Sequence, residues 1–195
     1  MPHVRKVDKV SPPKFFAMDQ FKLQWAHFSS SETQPTVDGK AVHATVAMSC
    51  EFDFVERGDV LMYQDSQRKW WFGQVVVKAV IDKSRSIVWA QQLRKNTPQQ
   101  NLELLKHERV HVELAERHAR YILQQVKILS VAGSDMGVAC QQLIQSADRI
   151  RKDHWDKLKN MNAQYERETA HGTNSSVQQQ WNSLYLSVKN TNATL

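Results

Sequence analysis

The apolar positions change period once along this chain. From Ala41 to about Gln91 they keep a two-residue rhythm. Val42, Ala44, Val46 and Met48 are interleaved with His43, Thr45 and Ala47, and Phe52 and Phe54 continue the pattern. Successive side chains on a strand point to opposite faces, so this rhythm predicts half-buried β-strands. The alternating run Phe21-Lys22-Leu23-Gln24-Trp25 predicts a short strand ahead of them. The Ser-, Thr- and Gly-containing stretch 29–40, with Pro35, reads as a loop. Gly58-Asp59 marks a turn. The β-branched run 75–81, the polar Asp82-Lys83-Ser84-Arg85 and the strand-like 86–90 together read as a hairpin.

Beyond Thr97-Pro98 the period lengthens. Leu102, Leu104, Leu105, Leu114, Ile122, Val126 and Ile128 recur at helical spacing, with Thr97 able to cap and Pro98 suited to the first helical position. This predicts a helix over about 98–129 and a break at Val131-Ala132-Gly133-Ser134-Asp135. A second long helix should cover about 136–170 and end at Gly172, where a left-handed cap is expected. Asn174 then reads as the N-cap of a third helix carrying Val177, Trp181, Leu184, Leu186 and Val188. Strands over about 21–91 followed by helices over about 98–189 make an α+β chain: an N-terminal antiparallel sheet, then long helices. Residues 1–20, with Pro12-Pro13, read as an irregular lead-in to a single domain over 21–195.

Composition narrows this little. Hydrophobic residues at 41% and charged residues at 24% of 195 are those of a globular chain that can bury a core. The net charge of +6 raises nucleic acid as a partner. The densest basic cluster, Arg149, Arg151, Lys152, Lys157 and Lys159, is however interrupted by Asp148, Asp153 and Asp156, as on a solvated helix face, so no nucleic acid is expected. No apolar run reaches the roughly 18 residues of a membrane span. No apolar stretch follows the basic start, so no signal peptide is expected in the chain as it stands. Cys50 and Cys140 are too few for a disulfide framework; they either pair or are buried thiols.

Candidate chemistry lies in the first long helix, at His107-Glu108-Arg109-Val110-His111. Residues four apart on a helix differ by about 40° in azimuth and one turn in height. Both imidazoles can therefore reach one metal ion, which zinc would hold at about 2.0–2.1 Å. Glu108, about 100° from His107, sits on the same flank, where it can act on a metal-activated water as general base without being a ligand. A third protein ligand is needed. His118 is aligned in azimuth but rises about 10 Å above His111, and Glu116 points about 180° away from His107. The ligand should come from the second helix or its end. Asp148, Asp153, His154, Glu166, Glu168 and His171 all remain open.

Two segments resemble a bacterial family of proposed zinc-dependent peptidases long catalogued as a domain of unknown function. The first runs from Leu104 through the two histidines to Glu116 and Arg120. The second is Tyr165-Glu166-Arg167-Glu168-Thr169-Ala170-His171-Gly172-Thr173-Asn174, followed by Gln178 and Trp181. A weaker likeness lies in Leu23-Gln24-Trp25-Ala26-His27-Phe28, so the resemblance covers about 21–185. Arg109 and Val112 depart from it, where Gln and Phe are expected. The resemblance implies a zincin-like metallopeptidase with one Zn2+ ion, a peptide or protein substrate, and His171 as third metal ligand beside His107 and His111. It also implies a secreted or envelope setting, against a cytoplasmic one if no leader was removed.

The rival reading is a non-catalytic metal-binding or interaction module on the same fold. Secondary expectations follow. Residues 86–91 are a candidate sheet edge for a substrate strand. Tyr165, His118 and His154 are candidate oxyanion donors. Trp70, Trp71 and Phe72 form either core or a substrate wall.

Overall fold

A computed structural model describes residues 3–7, 23–37, 39–56 and 59–186. In chain order the strands are β1 (His3–Lys6), β2 (Ser29–Ser31), β3 (Thr36–Val37), β4 (Lys40–Ala41), β5 (Ala44–Thr45), β6 (Met48–Asp53), β7 (Val55–Glu56), β8 (Asp59–Gln64), β9 (Lys69–Phe72), β10 (Val76–Ile81) and β11 (Ile87–Trp89). Helices α1 (Ala90–Lys95) and α2 (Pro98–Lys127), strand β12 (Val131–Ala132), and helices α3 (Met136–Thr169) and α4 (Ser175–Tyr185) follow. The fold is α+β.

The expected single antiparallel sheet is, among the described residues, four small sheets, two of them with a parallel pair. One orders β1-β8-β9-β12 with β7 also on β8, one pairs β6 with β10, one orders β2-β11-β5, and one pairs β3 with β4. The parallel pairs are β1 on β8 and β2 on β11.

The chain divides into two compact units. The first takes its residues from Met1–Asp19, Cys50–Ala79 and Arg117–Lys157. Its buried side chains include Val60, Met62, Trp70, Phe72, Ile122 and Leu143. Trp70 and Phe72 are thus core; Trp71 is half-buried, stacked on Tyr63 and bonded to Asp65. Cys50 and Cys140 also lie here as free thiols, and burial pushes Cys50 up to about 11, so it is a poor nucleophile. His3–Lys6, within the expected irregular lead-in, is ordered because it pairs with β8. Residues 8–20 lie outside the described ones.

The second unit takes its residues from Gln20–Ser49, Val80–Glu116 and Leu158–Leu195. Leu23, Phe28, Ala44, Ile81, Val88 and Val112 form a buried cluster, with Trp25, Leu104 and Leu105 packed against it. The strand expected at 21–25 is corrected here. Residues 21–22 lie outside the described ones, and Trp25–His27 is a 3-10 turn closed by Gln24 N donating to His27 Nδ1 at 3.0 Å. The stretch 29–40 is partly strand, not loop throughout: β2 lies beside β11, and β3 and β4 pair.

The hairpin expected over 75–90 is also absent, for β10 pairs with β6 and β11 runs between β2 and β5. The connection makes a helical turn instead, with Ser86 N bonded to Asp82 O at 2.9 Å. The fully buried Ser86 donates its hydroxyl to Asp82 O and receives Ala47 N, while its carbonyl accepts from Ser29 N. Those bonds send the chain toward β2.

The long helices follow the sequence closely, whereas α1 (Ala90–Lys95) was not expected. Thr97 and Gln100 make a reciprocal capping box at the start of α2: Gln100 N to Thr97 Oγ1 at 3.2 Å, Thr97 N to Gln100 Oε1 at 2.8 Å. Asn174 caps α4 by accepting from Val177 N. The part of the third helix expected beyond residue 186 lies outside the described residues.

Candidate metal centre

Helix α2 turns one face inward over its whole length, and on that face His107, Glu108 and His111 occupy positions an apolar residue would otherwise fill. They are 4%, 2% and 8% exposed. Burying three such polar groups is costly unless each is matched.

The outer nitrogens are matched by amides. His107 Nδ1 lies 2.9 Å from Gln178 Oε1 on α4, and His111 Nδ1 lies 2.9 Å from Asn162 Oδ1 on α3. An amide oxygen only accepts, so both imidazoles place a proton on Nδ1 and turn Nε2 inward, where a metal ion would replace any proton shared with Glu166. There they meet one atom, Glu166 Oε1, at 3.3 Å from His107 Nε2 and 2.7 Å from His111 Nε2. Asn162 and Glu166 are four residues apart on α3 and so share its face.

The ligand atoms of His107, His111 and Glu166 all lie within 4.8 Å of one another, a group that can hold a metal ion. The donor set fits one. Two imidazoles that turn Nε2 inward and a carboxylate are metal-binding chemistry.

His171 stands one step out from this group. Its Nδ1 is 2.6 Å from Glu166 Oε2. The preferred third ligand of the sequence reading therefore contacts the carboxylate that occupies the group. Asp148, Asp153, His154 and Glu168 are not in it. Glu168 accepts instead from Trp181 Nε1 and Gln164 Nε2.

His171 is set by an unusual helix end: Ala170, His171 and Gly172 all have left-handed backbone, with φ of 48°, 53° and 82°. Thr169 Oγ1 bonds Tyr165 O at 2.7 Å and receives Gly172 N at 3.3 Å. Gly172 lies against the His107 ring; a Cβ there would stand 3.1 Å from His107 Nδ1.

Charge follows the same arrangement. Burial alone would raise Glu166, but bonds from His107 and His111 outweigh it and hold the carboxyl far below its usual range. Burial opposes charge on His107, yet the Glu166 bond and the neighbouring carboxylates leave its pKa raised. Glu108 is pushed up, chiefly by burial, against the pull of the two histidines. Its Oε2 accepts from Val46 N at 2.9 Å, just after β5.

Tyr165, a candidate oxyanion donor, is fully buried and stacked on His107. Its hydroxyl lies 3.1 Å from His107 O and within bonding distance of Gln178. That hydroxyl supports the His107 backbone, and Tyr165 does not line the cleft described next. His118 and His154 belong to the first unit, where their rings face each other at 5.7 Å.

A cleft of about 560 Å3 opens beside the group. Its walls are residues 40–45 with Val37, then Leu104, His107 and Glu108 of α2, Ala163, Glu166 and Arg167 of α3, and Ala170, His171 and Thr173 of the turn. The sheet edge here is β5, the end strand of its sheet. The expected edge at 86–91 is corrected: β11 is paired on both sides. Trp70, Trp71 and Phe72 line no part of the cleft.

Residues 85–172 match a family described as a bacterial protein of unknown function, DUF922. The match begins at the turn before β11 and ends at the glycine against His107, so it contains both histidines, Glu108 and Glu166. It is shorter than the resemblance read over 21–185; α4, with Gln178 and Trp181, lies beyond it. No curated protein and no solved structure matches the chain.

Sequence reasoning passed over Asn162 and the role of Gln178. The signals available were the spacing of Asn162 four before Glu166 and the presence of Gln178 in the resembling segment. Among the described residues no helix is long and apolar enough to cross a membrane.

Proposed function

We propose that this chain is a zinc-dependent metallopeptidase of zincin-like arrangement, with His107, His111 and Glu166 as metal ligands and Glu108 as general base. The observation that carries this reading is the convergence of His107 Nε2, His111 Nε2 and Glu166 Oε1 in one buried group, with Glu108 beside it in an open cleft. Two histidines and a glutamate with one position left for water form a catalytic zinc set. A bound zinc ion supplies Lewis acidity, bringing a water's pKa toward about 7 and polarising a carbonyl.

The chain's own residues do the rest. Gln178 and Asn162 keep the two Nε2 lone pairs aimed inward. His171 holds the second oxygen of Glu166. Glu108, whose burial raises its affinity for a proton, takes the proton of the attacking water and passes it to the leaving amine. Val46 N fixes the carboxylate's other oxygen. A substrate peptide lies extended along β5. Trp89 N bonds His43 O, so by antiparallel alternation the Ala44 amide and carbonyl face away from β11.

Metal analysis and peptide hydrolysis on variants test this. Wild type should carry about one zinc per chain. Glu108→Gln should keep the metal and lose roughly 100-fold or more in hydrolysis. Glu166→Gln should lose the metal outright, whereas His171→Ala should weaken it by about 10–100-fold. Zinc binding that ignores Glu166→Gln would overturn the ligand set. Bound zinc with no hydrolysis, in wild type and Glu108→Gln alike, would favour the non-catalytic metal-binding module.

A further inference from the structure

The cleft is not neutral. Its two carboxylates, Glu108 and Glu166, are taken up within the candidate centre by Val46 N and by the histidines. A divalent ion there balances both charges. The remaining charged residues of the wall are Lys40 on β4 and Arg167 on α3. Both residues are exposed, and among the described residues neither makes a close ion pair; the Arg167 charge acts on its exposed neighbour Glu168, whose carboxyl it helps to lower. The rest of the wall mixes small or apolar residues, among them Ala41, Val42, Leu104 and Ala163, with the polar His43, Thr45, His171 and Thr173. Lys40 and Arg167 thus line the same cleft as His107, Glu108 and Glu166.

We propose that the cleft selects peptides carrying a carboxylate close to the scissile bond, bound by Lys40 and Arg167. The substrate class rests on the peptidase reading. Both cations line the cleft without a close ion pair among the described residues, and a carboxylate is the group that complements them. An acidic side chain or a free C-terminus near the cut could supply it.

The test separates these sources and separates this inference from the peptidase reading. End-blocked hexapeptides with Glu moved through each position, their Gln counterparts, and Gln peptides with a free C-terminus are titrated calorimetrically into zinc-loaded Glu108→Gln protein. The same peptides are offered to wild type for cleavage. The best-placed Glu peptide, or the free-terminus peptide, should bind several-fold more tightly than its neutral partner. Lys40→Gln and Arg167→Gln should each lower that preference by about two- to fivefold, and added salt should erode it. Arg167→Glu should shift preference toward Lys-bearing peptides. Equal affinity for charged and neutral peptides, or a preference untouched by either substitution, would overturn the inference while leaving hydrolysis by wild type intact. An acid preference in binding without any cleavage would uphold carboxylate recognition and defeat the peptidase reading.

Discussion

Gly172 meets two demands at one residue. Its φ of 82° lies in the left-handed region, and it stands where a Cβ would press on His107 at 3.1 Å. Gly172→Ala should cost about 1–2 kcal/mol from the backbone alone, and it should also displace a proposed metal ligand. Gly39 has the same left-handed backbone, with φ of 76°, but a Cβ there meets nothing within 4 Å. Thermal melts should therefore register both alanine variants, while a zinc competition assay should register only Gly172→Ala. A matching loss of zinc affinity in Gly39→Ala would remove the contact from the explanation. The three polar residues buried on α2 make the same point about side chains. A motif read from spacing alone is consistent with exposed histidines, and it is burial with matched Nδ1 atoms that turns the spacing into a candidate centre.

At the scale of elements, α2 and α3 each supply residues to both units, and their segments in the first unit carry a pH-sensitive contact. His118 and His154 face each other at 5.7 Å; His154 Nε2 accepts from Gln125 Nε2 at 2.6 Å and its ring stacks on Tyr121. Burial lowers both histidines, helped by His154 and Lys157 for His118, and by Lys157 against Asp153 for His154. A histidine whose folded pKa is depressed gives stability that is full above its unfolded value, near 6.5, and lost as pH falls from there through the folded value. Melting temperature should accordingly drop as pH falls below about 6.5. His154→Gln should flatten that drop, and an unchanged slope would rule the pair out as its source. Helix limits were legible because capping is local: Thr97 with Gln100, and Asn174 with Val177, are each within one turn. Strand partners were not, because pairing joins residues far apart in sequence. Nothing in 75–90 announces that Ser86 will hold the chain to Ser29 and Ala47.

For the whole molecule, metal binding and stability should be linked, since the candidate centre joins α2, α3 and α4 within the second unit. An ion present at about 100 times its dissociation constant adds roughly 2.7 kcal/mol, which for a chain of this size corresponds to about 5–10 °C in melting temperature. Chelation should remove that increment, with hydrogen exchange rising chiefly in the second unit. A melt indifferent to chelator in a zinc-loaded sample would argue against the centre. The sequence by itself determined the α+β order of elements, the ends of the long helices, and the pair of histidines with Glu108, because period, capping and one-turn spacing are properties of neighbouring residues. Which side chain meets those histidines was decided by the tertiary structure. Six residues were open, and the packing of α3 against α2 brought Glu166 to their Nε2 atoms and left His171 against its other oxygen. The same packing recruited Asn162 and Gln178. Contacts across 51 and 71 residues depend on how helices dock, and no local pattern encodes that.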